Sequence, residues 1–468
     1  MKKRLIPLFL LSTIFTAHGA DKPNVLFIAI DDMRPDIGAY GNDEVITPSI
    51  DELASEGMVF HNAYCQMALC GPSRNSIMTG MYPDTIGIWG MSSKNHIEWR
   101  DGREHVTSLT EQFRKHGYQA VGWGKIYDFR NGFDEEYSWD EFTGVQRRQL
   151  NQFRKPPPRS DRPAFEALDA PDEIFPDAVA ADDAISYLES FDTDAQPLFM
   201  AVGFVKPHLA FIAPKKYWDL YDVDTLTLAS KVTPPDGSSE YLISPYKEIF
   251  SYNVPDPVPD EMAADLIHGY YACVSFIDAQ IGKLVEALKE KGIYDETLIV
   301  IWGDHGFKLG DHGEWAKDTN FELDARIPLI IKPPEGISGV NDTQALAELV
   351  DVMPTMLEIA GLPIPETVQG VSLVPVLNDP SAKVRDFALT QDKGIEQTMG
   401  YSIRTPQYRY NEWRNKRTSE IVAQELYHLK DNRLEMKNII DEKPEIARLH
   451  AQAVDDYIQN TPKYQQPN

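Results

Sequence analysis

The chain has 468 residues, of which 42% are hydrophobic, 25% charged and 10% aromatic. This composition excludes a mainly disordered or fibrous chain, and the length accommodates one large domain or two to three ordinary ones. Asp and Glu total 72 against 45 Lys and Arg, a formal net charge of −27; that sign disfavours nucleic acid and anionic membrane as general partners, while a few cations can still make a local positive pocket.

Lys2, Lys3 and Arg4 precede an apolar run from Leu5 to Phe15, and Ala17-His18-Gly19 offers small residues at the −3 and −1 positions of a cleavage site. Residues 1–19 are expected to be a secretory signal peptide, too short for a membrane span, with no cysteine nearby for a lipid anchor. No later stretch is long and apolar enough to cross a bilayer. A periplasmic or secreted protein without a membrane anchor is expected.

Short apolar runs then alternate with helical patterns. Val25–Ile30, Leu198–Val205, Leu298–Trp302 and, more weakly, Ala120–Trp123 read as strands buried on both faces. Ser108 with Glu111 fits a capping box ahead of Leu109 and Phe113, with Gly117 closing the helix. From about Ala264 to Lys291, Leu266, Tyr270, Val274, Ile277, Ile281, Leu284 and Leu288 recur at helical spacing, and Gly292 ends the run. The alternation predicts a doubly wound α/β fold. Lys155–Pro163 and residues 222–262 break it and read as surface excursions, either plain connectors or part of an active-site rim. After about Pro380, Tyr401–Tyr410 and Glu425–Leu429 read as short strands and Pro444–Ile458 as a last helix. The expected organisation is a catalytic domain over 20–380 and a smaller C-terminal subdomain over 381–468.

In open α/β sheets ligands sit beyond the carboxyl ends of the strands. The first strand ends in Asp31-Asp32, and the strand at 298–302 leads through Gly303 into Asp304-His305. Adjacent carboxylates there repel one another unless a cation lies between them, and a hard divalent ion takes oxygen ligands. Asp31-Asp32 alone reads equally well as an exposed acidic turn; Asp304 at a second strand end favours metal. Cys70-Gly71-Pro72-Ser73-Arg74 adds a cysteine, a soft ligand out of place beside a hard cation if it stays a thiol.

The C-x-P-S-R run resembles the signature of the type I sulfatases of the alkaline-phosphatase-like superfamily. The resemblance extends over nearly the whole chain through NVLFIAIDDMRPDIGAYG, CGPSRNSIMTGMYP, GYQAVGWGKIYD, VGFVKPH, IVIWGDHGFKLGDHGEWAKDTNFE, VDVMPTMLEIAGLP and ELYHLKDNRLEMKN. Within the family, the DDMRPD, KPH and HGEWAK segments are most similar to iduronate-2-sulfatase and its bacterial relatives.

The resemblance implies a large, mixed, mostly parallel sheet between helices, with a short antiparallel sheet in the C-terminal subdomain. It also implies a sulfuric ester hydrolase in which a formylglycine-generating maturation enzyme oxidises Cys70. The aldehyde hydrate carries two hydroxyls: one attacks sulfur, and the other allows sulfate to be expelled. Asp31, Asp32, Asp304 and His305 match the calcium ligands, with the modified Cys70 completing the shell; His305 alternatively supports the ligands from behind. Arg74 matches the arginine that holds the hydrate and the carboxylates. Lys125 matches a lysine that contacts the sulfate oxygens, Lys317 one placed near sulfate and the leaving oxygen, and His208 the group that protonates the departing sugar oxygen.

Related enzymes carry a histidine two or three positions after the lysine matched by Lys125, whereas Gly124-Lys125-Ile126-Tyr127-Asp128 places Asp128 there. Asp128 is a candidate base for regeneration, with another histidine as the alternative. Lys94, His96, Arg100 and Arg103 lie in a segment that either rims the pocket or is a solvated loop. Cys65 and Cys273 are expected as two buried thiols, with a bridge left open. The implied substrate is a sulfated sugar or oligosaccharide. The alternatives are a choline or aryl sulfatase, a phosphate or phosphonate monoesterase of the same fold, or a non-catalytic glycan-binding relative.

Overall fold

The computed structural model describes residues 22–463 apart from 92–102, 104, 129–134, 147–160, 194, 231, 245–247, 338–340, 396 and 430–432. Residues 1–19, expected to be a signal peptide, together with Lys94, His96, Arg100 and most of the proline-rich run at 155–163, lie outside the described residues. Arg103 is described and is buried.

Eight strands build the main sheet: β1 (Asn24–Asp31), β2 (Met58–Tyr64), β3 (Gln119–Gly124), β4 (Glu141–Thr143), β5 (Leu198–Pro207), β6 (Thr297–Gly303), β7 (Leu329–Lys332) and β8 (Asn341–Glu348). Their order is β8-β2-β7-β6-β1-β5-β3-β4, with the short strand Arg326–Ile327 added alongside β2. β7 runs antiparallel to β2 and β6, and every other pair along the path is parallel. The sheet is therefore mixed and mostly parallel, as the sequence implied.

Alternation along β1 shows why this strand reads as a continuous apolar run. Leu26, Ile28 and Ile30 enter one core with helices α3 (Pro176–Ser190) and α4 (Asp260–Lys291). Val25, Phe27 and Ala29 enter the other, with α1 (Cys70–Thr79), α2 (Leu109–Lys115) and α5 (Val352–Ile359). Both faces are covered, so both sets must be apolar. The Ser108–Glu111 capping box is present at α2, and Gly292 takes the left-handed conformation at the end of α4.

The C-terminal part forms a four-stranded antiparallel sheet of β9 (Ala388–Asp392), β10 (Thr398–Arg404), β11 (Tyr408–Asn415) and β12 (Ile421–His428). The run Tyr401–Tyr410, read as one strand, instead holds the end of β10, the turn Thr405-Pro406-Gln407 and the start of β11. Helix α6 (Pro444–Asn460) covers the sheet through Ala447 and Val454 against Leu389, Ile403, Tyr410 and Leu426. Thr390 Oγ1 donates to the Cys65 carbonyl at 2.8 Å and Gln391 N to the Gln66 carbonyl at 2.7 Å. The small sheet is thereby tied to the segment that leads into α1.

Candidate active site at the strand ends

β1, β5 and β6 run parallel in close register: Val25 lies opposite Phe199 and Leu298, and Ile30 opposite Phe204 and Gly303. Their carboxyl ends converge, which brings Asp31-Asp32, His208 and Asp304-His305 into one space. Lys125 joins them because Gly124, at φ +76°, turns the chain where a side chain would collide with the Gly203 carbonyl. Asp32 is a non-glycine residue at φ +60°. Its N–H donates to Asp304 Oδ1 at 3.2 Å and its carbonyl accepts from the Tyr270 hydroxyl at 2.8 Å. That hydroxyl in turn accepts from Arg34 N at 3.0 Å. The left-handed turn is held from both sides.

Cys70 is the first residue of α1, a helix buried along its whole length. Ser73 Oγ donates to the Asp304 carbonyl, fixing α1 against β6. Arg74 donates through Nε to Asp304 Oδ2 at 2.8 Å, stands 3.5 Å from Asp31 Oδ1, and donates to the Lys125 and Ile126 carbonyls. Its guanidinium lies 5.5 Å from the centre of the Trp302 ring. One side chain thus joins α1, β1, β6 and the turn after β3.

Cys70 Sγ lies 3.3 Å from Asp31 Oδ1 and 3.3 Å from His305 Nε2. Asp31, Asp32, Cys70 and His305 are all buried and each offers one ligand atom, all within 4.8 Å of one another. His305 Nδ1 lies 2.9 Å from the Gly306 carbonyl. A carbonyl only accepts, so Nδ1 carries the proton and Nε2 turns its lone pair to the cluster. Asp304 borders this set rather than joining it: Oδ1 accepts from the amides of Asp32 and His305 (3.0 Å) and lies 3.6 Å from His305 Nε2, while Oδ2 is taken by Arg74.

Lysines enter from two sides. Lys125 Nζ is 2.5 Å from Asp31 Oδ2 and 3.7 Å from Asp128 Oδ2. Lys317 Nζ is 2.5 Å from Asp32 Oδ1. Burial opposes ionisation of Asp31, but Lys125, then His208, Arg74 and Lys317, outweigh it and hold the carboxyl well below its ordinary range. Asp32 is likewise lowered against its burial, by His208 and Lys317. Burial, followed by the charge of Asp31, pushes the Cys70 thiol well above its ordinary range. An unmodified Cys70 is therefore a neutral thiol and a weak nucleophile.

Asp32 Oδ2 is buried and has no hydrogen-bond partner. An orphaned anionic oxygen beside a second carboxylate and an imidazole lone pair is a donor set that a hard divalent cation fits. Sγ of Cys70 is the one soft donor in the set.

His208 follows β5. Its Nδ1 lies 2.8 Å from the Leu209 carbonyl, so Nε2 faces the site, 4.0 Å from Asp32 Oδ2. Lys206 Nζ donates to the His208 carbonyl at 2.9 Å and holds this turn. Every residue proposed from the sequence as catalytic or metal-binding thus borders one space. Glu248 does so too and was not legible: it lies in a Pro- and Ser-rich stretch without periodicity, and no motif marks it. Tyr270 was read only as a core position of α4; nothing in the helical pattern signals its hydroxyl. Cys65 and Cys273 are free and buried, in line with the two-thiol expectation.

Comparison with known proteins was consistent with this arrangement. The sulfatase family model matches residues 23–362, and the model for the N-sulphoglucosamine sulphohydrolase C-terminal region matches residues 310–461. The chain is 34% identical over 398 residues to a sulfatase of Formosa agariphila, covering 79% of this chain and 75% of that one. It is 28% identical over 519 residues to iduronate 2-sulfatase of Mus musculus, covering 92% and 93%. A solved structure described as a complex with its substrate D-glucosamine-2-N,6-O-disulfate superimposes with a TM-score of 0.74 at 22% identity, over 94% of this chain and 99% of that one, and shares the fold.

Proposed function

The chain belongs to the sulfatase family and is a sulfuric ester hydrolase, and from that premise we propose that it is exported and removes O-sulfate from a sulfated sugar or oligosaccharide. The observation that carries this reading is Cys70, 3.3 Å from both Asp31 and His305 at the converging strand ends, with two lysines reaching the same acids. The names of the relatives support a sugar as the alcohol: iduronate in one, a sulfated glucosamine in another. Export rests on the basic start and apolar run of residues 2–15. Among the described residues no helix is long and apolar enough to cross a membrane.

The cofactors in this reading are calcium, held by Asp31, Asp32 and His305 with Asp304 beside them, and formylglycine at position 70. Bound there, calcium supplies positive charge toward the sulfate oxygens, and the hydrated aldehyde supplies the attacking hydroxyl. The remaining work falls to side chains of the chain itself. Lys125 and Lys317 present two buried ammonium groups to an incoming sulfate. Burial opposes charge on both, but Asp31 for Lys125 and Asp32 for Lys317 raise their pKa values, so both stay cationic across the working pH range. Arg74 neutralises Asp31 and Asp304 and fixes α1, so position 70 is aimed at the cluster. His208 Nε2 delivers a proton to the leaving sugar oxygen, a poor leaving group as an alkoxide. Asp128 stands 3.7 Å from Lys125 Nζ and serves as the base that restores the site.

Sulfate release from a panel of defined sulfated oligosaccharides, with product positions read by NMR, tests this reading. Choline sulfate, aryl sulfates and phosphate or phosphonate monoesters belong in the same panel. Turnover of one of these alone would replace the sugar, and no turnover at all would leave a non-catalytic glycan-binding protein.

A further inference from the structure

His208 and Lys317 reach the site from different elements, and one carboxylate stands between them. Glu248 opens the short helical turn Glu248–Tyr252, at the end of the long excursion after β5. Its Oε1 lies 3.5 Å from His208 Nε2 and its Oε2 lies 3.6 Å from Lys317 Nζ. Its side chain is 12% exposed, so it faces the site and not bulk solvent. Each oxygen addresses one of the two groups read as serving the leaving oxygen, and among the described residues neither is paired with a further cation.

We propose that Glu248 is a positioning residue that holds His208 and Lys317 together on the leaving-group side. This rests on the function proposed above. The physical reasoning is geometric. His208 is anchored at Nδ1 by the Leu209 carbonyl, which leaves rotation about that contact to be set by whatever faces Nε2. Lys317 has a flexible stem and is drawn toward Asp32 Oδ1 at 2.5 Å. A carboxylate spanning both heads restrains the imidazole and keeps the ammonium from collapsing wholly onto Asp32. Proton delivery demands a placement good to a fraction of an ångström, whereas anchoring a sulfate tolerates more freedom. The benefit is therefore expected only where the leaving oxygen needs a proton. Asp32, His208 and Glu248 also converge closely enough to hold a cation. The ammonium of Lys317 already occupies that neighbourhood, which favours the positioning role over a second metal.

The test uses Glu248→Gln, which removes the charge and keeps the shape, and Glu248→Asp, which keeps the charge. Each is assayed on a sugar sulfate that the native enzyme turns over and on an activated aryl sulfate, with calcium binding followed by calorimetry. For Glu248→Gln, the loss of kcat on the sugar sulfate should exceed the loss on the aryl sulfate by about 10-fold, a part of what a general acid contributes. KM and calcium affinity should change little, and Glu248→Asp should recover part of the loss. Equal losses on both substrates, or a fall in calcium stoichiometry, would overturn the positioning role in favour of a structural or metal-binding one. Native enzyme that releases sulfate from no sugar would instead count against the proposed function, so the two failures are distinguishable.

Discussion

Where the small sheet meets β2, Glu322 is fully buried, and its oxygens are saturated. Oε1 accepts from Tyr64 and Arg433 at 3.0 and 2.9 Å, and Oε2 from Arg404 and Arg409 at 3.1 and 2.7 Å. Burial opposes its charge, yet Arg404, Arg409 and Arg433 keep the carboxyl well below its ordinary range. Asp32 at the end of β1 is just as buried but open: Lys317 engages Oδ1, and Oδ2 has no hydrogen-bond partner. A structural charge cluster closes on itself, because each unfilled lone pair in the interior costs free energy. A site tolerates that cost, since the unfilled valence is where a ligand binds. Burial does not tell the carboxylates of Glu322 and Asp32 apart; the open valence at Asp32 Oδ2 does.

The sharpest way to break that comparison is at position 70. Cys70→Ala should abolish sulfate release, by roughly 10⁴-fold or more, as expected for loss of a covalent nucleophile. Its unfolding midpoint should stay close to native, because the substitution is small. In native protein from a competent host, mass spectrometry of the peptide spanning 65–81 should show the aldehyde in place of the thiol. Full activity with Cys70 unmodified would remove the open cluster from the chemistry. Next in size is His208→Ala, with a loss of roughly 10²- to 10⁴-fold on sugar sulfates and far less on an activated aryl sulfate, whose phenolate leaves unaided. Equal losses on the two would mean that His208 positions the sulfate, with Lys317 then the first candidate for the proton.

The elements around the open cluster were largely readable, for a physical reason. β1, β5 and β6 are covered on both faces, so their apolar runs stand out, and each ends abruptly in the polar residues of the site. The Ser108–Glu111 cap and the α4 stripe were readable because their signals are local. Asp31, Asp32 and Asp304 stood out by their place at strand ends, whereas Cys70 and Arg74 gained meaning only from the family resemblance of the C-x-P-S-R run. The converse holds for residues placed by tertiary contact alone. Glu248 arrives from a loop, the Tyr270 hydroxyl from a core helix, and β7 joins the sheet antiparallel through a short run bounded by Pro328 and Pro333. The buried cluster at Glu322 was invisible as well: its four partners lie between 82 and 258 residues from it in sequence, and nothing in the spacing joins them.

The closed cluster should respond in stability where the open one responds in rate. Glu322→Gln leaves three arginines facing a neutral amide and should cost about 3–5 kcal/mol, the range for removing one member of a buried ion cluster. Turnover per folded molecule should be kept, because Glu322 touches none of the groups around Cys70. Denaturant titration and an assay normalised to folded protein check both halves. A loss of turnover per folded molecule would mean that the C-terminal sheet is coupled to the site.

The smallest expected effect is on the pH dependence of stability, and it comes from a neighbour inside the closed cluster. Glu435 accepts from the Glu322 amide at 2.7 Å and stands 2.8 Å from Arg409 Nε. Burial pushes its carboxyl up to about 8, with Arg409 pulling the other way and Glu322 adding to the rise. The folded protein therefore keeps a proton that an unfolded glutamate releases near its ordinary value of 4.5. Between those two values the folded state binds more protons, so this group lowers stability as pH rises, by at most about 1.4 kcal/mol per pH unit. Below the ordinary value both states are protonated and the group contributes no slope. Glu322 acts in the opposite sense: its contribution is present above the ordinary glutamate value and is lost as pH falls from there toward its lowered folded-state value. Denaturation at pH 5.5, 6.5 and 7.5 should show native protein losing stability toward the alkaline end. Glu435→Gln should flatten that slope without altering the loss on the acid side. A slope that survives Glu435→Gln intact would place the proton elsewhere, with Glu348, pushed up to about 7 by burial against the opposing charge of Arg385, the next group to replace.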